Sequence, residues 1–332
     1  MTPILQLQHL QTGYSERTGR TILSQDLHLN LYAGEVTMLM GKNGSGKSTL
    51  LHTIAGLLPP LQGQVFLSGK DLAQLSLHEQ ALQMSLVLTE RLQTGQMTVR
   101  EVVQLGRAPH TNFFGTLRSQ DHELVAYCLE RCGLTTLASR PFVRLSDGEK
   151  QRALIARALA QETPLILLDE PTAHLDLSAR LEVILMLREL AHELGKGILV
   201  STHELELALS WADKLWLMDS SGAITEGAPE DLALAGHLER VFGSERLSYD
   251  LEEGRFLVRQ GQGAGIYLTG EGLYAQWIAR ALRRSGYLPL ATPQPELPTL
   301  ICTASHWQLT LPYGARYEGD TIAELLALLP KG

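Results

Sequence analysis

The chain has 332 residues, of which 44% are hydrophobic and 19% are charged, and its formal net charge is −8 at pH 7. These values are those of a folded globular protein and exclude an intrinsically disordered chain. The negative charge and the lack of a basic run argue against a nucleic-acid partner, because neutralising phosphates takes clustered Lys and Arg side chains. The N-terminus does not have the pattern of a signal peptide, and no run nears the roughly 18 apolar residues that span a bilayer. We therefore expect the chain to meet membranes only through a partner.

The three cysteines, Cys128, Cys132 and Cys302, are consistent with a reducing compartment. Cys128 and Cys132 lie four residues apart in a helical pattern, so they could share one face of a helix. No His or Cys partners occur at zinc-site spacing, which favours two small buried residues over a metal site.

Strand patterns and helix patterns alternate along the first two thirds of the chain. Strands are predicted at 35–40, 63–72, 164–171 and 197–203, helices after residue 49 and at 145–161 and 178–194, and a β-hairpin at 214–229. Helical periodicity also covers 97–133, with a loop predicted at 107–117, where Pro, Gly and aromatic residues cluster. This alternation predicts an α/β fold with a largely parallel sheet and helices on its faces.

The composition changes after about residue 260, where 260–265 is predicted to be a linker or turn. The segment 266–290 has the pattern of a strand, a Gly turn, an amphipathic helix and a second strand, and two more strands and a helix follow. We therefore predict one large domain over 1–260 and a small C-terminal α/β domain over 261–332.

The stretch "GKNGSGKST" at 41–49 matches the phosphate-binding pattern G-x-x-x-x-G-K-[ST], known as Walker A, between a strand and a helix. Gly41, Gly44 and Gly46 let backbone N–H groups point inward at phosphate oxygens, and the helix N-terminus adds its dipole. Lys47 is predicted to reach the β- and γ-phosphates of ATP, and the Ser48 hydroxyl to ligate Mg²⁺. The other loop residues assigned to nucleotide binding are Asn43, Ser45 and Thr49.

The buried strand "LILLDE" ends in two carboxylates, Asp169 and Glu170. We predict that Asp169 holds Mg²⁺ and that Glu170 orients and polarises the attacking water. A strand ending in Asp-Glu is a common structural accident when it stands alone, but here a phosphate loop precedes it in the chain.

The segment "LSDGEKQR" at 145–152 resembles the signature sequence of ATP-binding cassette (ABC) proteins, which is usually Leu-Ser-Gly-Gly-Gln. Ser146 and Glu149 also form a capping box, so the segment could simply begin a helix. Its place just before "LLDEPTAHLD", with "STHE" after one further helix and strand, reproduces the ordered motifs of an ABC ATPase over about residues 5–230. The resemblance implies a phosphate-loop core with an antiparallel β subdomain and a helical subdomain at about 90–160.

The resemblance also implies roles for matching positions. Tyr14 matches the aromatic residue that stacks on adenine, and His203 matches the histidine that holds the γ-phosphate and the attacking water. Ser146 and Gly148 match residues that contact ATP held by a second copy, and Asp176 lies in the loop that crosses the dimer interface. Two copies are therefore expected to close around two ATP molecules and to open after hydrolysis.

The segment 97–134 is similar to the helical subdomain of ATPases that energise bacterial import of iron–siderophore complexes, haem and cobalamin. The resemblance implies integral-membrane permease partners, an indirect link to a periplasmic substrate-binding protein, and a place on the cytoplasmic face of the inner membrane. The alternative is an ABC ATPase that does not transport and acts on ribosomes or DNA. Such proteins usually have two cassettes or a long coiled coil, whereas this chain shows one cassette and no heptad run.

Two assignments stay open at this point. The family has a glutamine just after a strand that contacts Mg²⁺ and the attacking water and couples the site to the permease. Here, after the strand-like run that begins at residue 85, either Glu90 as a metal ligand or Gln93 could fill that position. The segment 261–332 could regulate, brace a dimer or be a structural appendage, and ligand binding there is a further alternative.

Overall fold

The computed structural model describes residues 2–16, 19–88, 95–112, 115–251, 253–258 and 263–329. Contacts divide the chain into two compact units, the first of Met1–Gly243 with Leu251–Arg255 and the second of Ser244–Asp250 with Phe256–Gly332. This division falls before residue 260, and the predicted domain boundary there stays a prediction.

The first unit alternates strands and helices. Its strands are β1 (Leu5–Glu16), β2 (Gly19–Leu31), β3 (Val36–Gly41), β4 (Gln62–Leu67), β5 (Lys70–Asp71), β6 (Met84–Val87), β7 (Leu165–Asp169), β8 (Gly197–Ser201), β9 (Lys214–Met218) and β10 (Ile224–Gly227). Its helices are α1 (Lys47–Ile54), α2 (Leu77–Gln83), α3 (Val99–Gln104), α4 (Ser119–Arg131), α5 (Asp147–Ala160), α6 (Leu177–Leu194), α7 (Leu205–Trp211), α8 (Pro229–Leu234) and α9 (His237–Phe242).

A six-stranded sheet with the order β10-β9-β3-β8-β7-β6 forms the centre of this unit, and only β10 within it runs antiparallel to its neighbour. Strands β3, β7 and β8 are buried at every position, as continuous apolar runs predict for a parallel sheet that is covered on both faces. Because neighbouring parallel strands end at the same edge, Gly41, Asp169 and Ser201 lie together at the carboxyl ends of β3, β7 and β8. The predicted α/β fold is confirmed.

A second sheet, entirely antiparallel, has the order β2-β1-β4-β5. Its inward leucines, among them Leu7, Leu10 and Leu27, join the core cluster that also takes in residues of α1 and of the central sheet. Burial of such side chains is worth roughly 1.5–3 kcal/mol each, so this sheet is held firmly on the core.

Helices α3, α4 and α5 follow β6 and precede β7 in the sequence, and they pack on one another. Helix α3 begins with a capping box of Thr98 and Glu101, in which each residue satisfies a backbone N–H of the other. The prediction of a loop at 107–117 is wrong for residues 107–110, because a 3-10 helix spans Leu105–His110 and includes Pro109. A 3-10 turn after an α-helix is a common way to tighten its last turn.

A buried ion pair fixes this helical segment. The Arg107 guanidinium donates to Asp121 at 2.8 Å and to Glu162 at 2.6 Å, and the Arg107 and Asp121 side chains are only 8% and 7% exposed. The backbone N–H of Arg118 and the Arg107 guanidinium lower the pKa of the Asp121 carboxyl. Cys128 and Cys132 are free and buried, as expected for small core residues.

From residue 247 onward the elements are β11 (Leu247–Asp250), β12 (Arg255–Val258), β13 (Ala264–Thr269), α10 (Leu273–Arg284), β14 (Tyr287–Leu290), β15 (Thr299–Cys302), β16 (Trp307–Thr310), β17 (Arg316–Gly319) and α11 (Ile322–Leu328). Strands β11 and β12 form a two-stranded sheet. The other five strands form a second sheet in the order β14-β13-β15-β16-β17. The core of this sheet includes Ile266, Trp307 and Leu309, packed against Ile278 and Leu282 of α10 and Leu325 of α11. The predicted small α/β unit is confirmed, and β17 is an additional strand.

In the part of the chain that the structure describes, no helix combines the length and the apolar character that crossing a membrane requires.

Candidate nucleotide-binding and catalytic site

The phosphate loop runs from the end of β3 to the start of α1. Gly44 and Gly46 have φ angles of 79° and 104°, a left-handed region that side chains rarely adopt. At Gly41 a Cβ atom would lie 2.6 Å from the Met218 carbonyl oxygen and 2.7 Å from the Ser45 hydroxyl oxygen. Gly46 is also the N-cap of α1, so the loop leads directly into a helix N-terminus, where backbone N–H groups and the helix dipole favour an anion.

Lys47 brings its ammonium group into this loop, where it donates to the carbonyl oxygens of Gly41 at 2.9 Å and Lys42 at 3.1 Å. The residue is 7% exposed, and burial lowers the pKa of its ammonium group, while Glu170 and Asp169 act in the opposite direction. A buried cation beside backbone N–H donors is suited to bind phosphate oxygens.

The Ser45 hydroxyl oxygen is one of three buried side-chain N or O atoms without a hydrogen-bond partner in the described part of the chain. Buried polar atoms normally have a partner, so an unpartnered one within a phosphate loop fits a bound group that supplies it. The cradle of the loop is therefore compatible with a nucleotide phosphate.

Two oxygen donors meet beside the loop. The Ser48 hydroxyl lies 3.3 Å from Asp169 Oδ1, and the Ser201 hydroxyl donates to the same oxygen at 2.5 Å. His52 Nε2 lies 3.9 Å from the other oxygen, Oδ2. A hydroxyl and a carboxylate are hard oxygen ligands of the kind that Mg²⁺ prefers, so Ser48 and Asp169 could hold this ion.

Glu170 and His203 form the next pair, with 3.4 Å between Glu170 Oε1 and His203 Nδ1. Their side chains are 31% and 53% exposed, so water has access to both. Glu170 has a φ of 47°, which is strained for a residue other than glycine and is held by two hydrogen bonds from its N–H, to the Ser201 hydroxyl at 3.0 Å and the Ser201 carbonyl at 3.2 Å. A carboxylate and an imidazole in this arrangement can orient and deprotonate a water molecule.

Tyr14 comes to the loop from the antiparallel sheet. Its hydroxyl lies 2.8 Å from the Thr49 hydroxyl across 35 residues of sequence, and the residue is 44% exposed. The exposed ring beside the phosphate loop is available for stacking on a base.

The residues of this chain that are predicted to contact a second copy lie in a separate group. Ser146 is the N-cap of α5 and Asp176 is the N-cap of α6, each with its side chain on a backbone N–H of its helix. A Cβ atom at Gly148 would lie 3.0 Å from the Cβ of Ala179, so the first turns of the two helices touch. Ser146 and Asp176 are exposed. The structure thus brings Ser146, Gly148 and Asp176 together at two helix N-termini that face solvent in one copy.

Two family models match the chain, one described as ABC transporter over residues 24–173 and one as iron ABC transporter C-terminal domain over residues 262–330. An uncharacterized ABC transporter ATP-binding protein of Methanocaldococcus jannaschii is 38% identical over 253 residues, which are 76% of this chain and 86% of that protein. The chain belongs to the ABC transporter family. It is an ATP-binding subunit that hydrolyses ATP to drive transport.

Other comparisons extend this assignment. The achromobactin transport ATP-binding protein of Dickeya dadantii is 37% identical to this ABC subunit over 71% of this chain and 86% of that protein. A solved ABC transporter described as of metal-chelate type, in an inward-facing conformation, has a TM-score of 0.63 and 28% identity over 77% of this chain and 95% of that one. A dimeric post-hydrolysis ATP-binding cassette bound to ADP and Pi has a TM-score of 0.59 and 27% identity over 68% of this chain and 98% of that one.

Two residues of the ABC site were not predicted from the sequence. Ser201 pairs with Asp169 across β7 and β8 and is fully buried. Glu204 accepts from Thr172 at 2.7 Å and from Arg180 at 3.0 Å, and this fixes the segment that carries His203. The signal that could have found both is the polar run "STHE" directly after a buried strand.

Asn43 is exposed in the phosphate loop of the ABC subunit. Glu90 and Gln93 lie outside the described residues. The assignment of one of them to the position of the family's glutamine therefore stays a prediction.

Proposed function

We propose that this ABC subunit energises bacterial import of an iron–siderophore complex or a related chelate such as haem or cobalamin. The observation that carries the proposal is the match of residues 262–330 to the iron ABC transporter C-terminal domain, on a chain whose relative serves achromobactin transport. The helical segment at 97–134, which is expected to dock a permease, supports an importer.

Hydrolysis in the proposed mechanism divides among residues on one edge of the central sheet. Lys47 and the loop N–H groups bind the β- and γ-phosphates and offset the charge that develops on the γ-phosphate. Ser48 and Asp169 would hold Mg²⁺, which neutralises phosphate charge when it is bound. Glu170 polarises the attacking water, and His203 keeps this water and the γ-phosphate in line.

The second half of each ATP site comes, in this proposal, from another copy of the chain. Ser146 and Gly148 lie at a helix N-terminus that faces solvent, and such an N-terminus binds anions. Asp176 lies beside them on the same exposed surface. ATP would therefore close a symmetric dimer with two nucleotides between the copies, and hydrolysis would release it.

The remaining partners are permease subunits in the inner membrane and, through them, a periplasmic substrate-binding protein. The ATPase would sit on the cytoplasmic side of the membrane and contact the permease through its helical subdomain, with no contact to the cargo.

The test is reconstitution with a permease that co-purifies with the chain, in proteoliposomes that hold ATP inside. We expect ATP-dependent uptake of a ferric siderophore, haem or cobalamin presented on its binding protein, and no uptake with the Glu170→Gln variant. Co-purification with ribosomes or DNA instead of a permease would overturn the transport proposal. Uptake of a substrate that is not a metal chelate would overturn the substrate class alone.

A further inference from the structure

Three exposed side chains on the antiparallel sheet bring their donor atoms together. His9 Nδ1 lies 2.8 Å from Asp26 Oδ1, His28 Nε2 lies 3.1 Å from the same oxygen, and the two ring nitrogens are 3.0 Å apart. Among the residues that the structure describes, this is the one group of three or more His, Cys, Asp or Glu side chains whose donor atoms all lie within 4.8 Å of one another. None of the three belongs to the nucleotide site.

The strand register explains why these residues share one face. Leu7 pairs with Leu29 and Leu10 pairs with Leu27, so two residues of β1, Gln8 and His9, stand opposite a single residue of β2. This is a β-bulge, and it turns His9 outward where regular alternation would point it into the core.

A second bulge lies on the other strand. Leu10 pairs with Leu27 and Thr12 pairs with Ser24, so Gln25 and Asp26 stand opposite one residue of β1. His9 and Asp26 both have left-handed φ angles, 48° and 54°, and both lie within these bulges. The two bulges therefore place the side chains of His9 and Asp26 on the outer face of the sheet, next to the side chain of His28.

The sheet beneath keeps this arrangement in place. Leu10 and Leu27, next to the bulged residues, are 0% and 4% exposed in the core. On the other side of β1, a Cβ atom at Gly63 would lie 2.2 Å from the His9 carbonyl oxygen, so the bulge fits closely against its neighbour. The donor atoms are thus preorganised, which is what a ligand site requires.

With the Asp26 carboxylate ionised, no distribution of hydrogens on the two ring nitrogens makes all three contacts favourable. A hydrogen on one ring nitrogen leaves the other nitrogen and the Asp26 oxygen facing each other with lone pairs. Hydrogens on both nitrogens leave two N–H donors facing each other at 3.0 Å. A metal cation, in contrast, accepts one lone pair from each of the three atoms.

We propose that His9, Asp26 and His28 bind a first-row divalent transition-metal ion such as Ni²⁺, Zn²⁺ or Fe²⁺. Two imidazoles and one carboxylate suit these ions, whereas Mg²⁺ and Ca²⁺ prefer oxygen donors alone. At metal–ligand distances of about 2.1 Å the observed spacings give angles of about 90° at the metal, as for three adjacent positions of an octahedron. Water completes the coordination, because the three side chains are 75%, 72% and 51% exposed.

The test uses the full chain, freed of any histidine tag and of metal by chelation, with Ni²⁺ as the probe in isothermal titration. We expect one saturable site per chain that excess Mg²⁺ does not displace. His9→Ala, Asp26→Asn and His28→Ala should each weaken Ni²⁺ binding by about tenfold or more. His78→Ala, which removes another exposed histidine, is the matched control and should leave binding unchanged.

A variant that misfolds would also lose Ni²⁺ binding, so a second measurement identifies the ligands in the unaltered chain. With one equivalent of Cu²⁺, electron paramagnetic resonance should show two nitrogen ligands in the unaltered chain and fewer in each His variant. Equal Ni²⁺ binding by the unaltered chain and by the His9→Ala/His28→Ala double variant would overturn the proposal. So would full displacement of Ni²⁺ by Mg²⁺.

Discussion

Ser201 offers the sharpest test of the proposed catalytic geometry, because its hydroxyl contacts both the Asp169 carboxylate and the backbone N–H of Glu170. It donates to Asp169 Oδ1 at 2.5 Å and accepts the N–H of the strained Glu170 at 3.0 Å. The Ser201→Ala substitution removes both contacts and adds no volume to a fully buried position. Asp169 then loses a fixed orientation beside Ser48.

The magnitude follows from the type of hydrogen bond. A hydrogen bond to a charged group contributes roughly 1.5–3 kcal/mol, and the Glu170 N–H keeps the Ser201 carbonyl at 3.2 Å as an acceptor. If the whole loss falls on transition-state stabilisation, kcat/KM for ATP decreases by about 10- to 150-fold.

The assay is steady-state phosphate release at varied Mg²⁺, together with thermal unfolding without nucleotide. We expect Ser201→Ala to lower the rate and to raise the Mg²⁺ concentration that gives half of the maximal rate, since Asp169 is the proposed Mg²⁺ ligand. A purely structural role would lower the melting temperature and leave the Mg²⁺ dependence unchanged.

The matched control is Ser221→Ala, which removes a similar hydrogen bond, from Ser221 to Asp219 at 2.6 Å, in the exposed turn between β9 and β10. This variant should keep the rate and the Mg²⁺ dependence. If Ser201→Ala also kept both, the reasoning from the Asp169 geometry would be refuted.

Further predictions concern the proposed catalytic residue Glu170, the buried cysteines and the buried ion pair. Glu170→Gln should reduce ATP hydrolysis by about 100-fold or more, while ATP binding persists. The bound state should be visible as a stable dimer in size-exclusion chromatography with ATP. Rapid ATP turnover by this variant would contradict the proposed role of Glu170. Burial raises the pKa of Cys128 and of Cys132 to about 12, so at pH 8 iodoacetamide should label them slowly in the native chain and rapidly in urea, and equal rates would contradict their burial. Arg107→Ala should lower the free energy of unfolding by about 3–5 kcal/mol, because Asp121 keeps a buried charge without its partner, and Arg107→Ala/Asp121→Ala should recover part of this loss.

Motifs with local physical causes were predictable from the sequence. The phosphate loop needs glycines between a strand and a helix, and the signature helix needs a capping serine with a glutamate three residues later, so both appear as short patterns. Buried strands such as β7 appear as continuous apolar runs.

Features that depend on strand register were not predictable in this way. Ser201 joins Asp169 only because β7 and β8 are neighbours in a given register. His9 and Asp26, 17 residues apart, meet only because two bulges interrupt β1 and β2. The short polar strand β17 lacks the apolar alternation that marks a strand.

Glu204 has a consequence for how the two ATP sites of the proposed dimer influence each other. Its carboxylate holds Arg180 of α6, the helix that begins at Asp176, and Glu204 directly follows His203 in the chain. One side chain therefore joins His203, the residue proposed to hold a copy's own γ-phosphate, to the surface proposed to reach the nucleotide of the other copy. Occupation of one site should change the ATP affinity of the other, and by thermodynamic reciprocity the effect is equal in both directions.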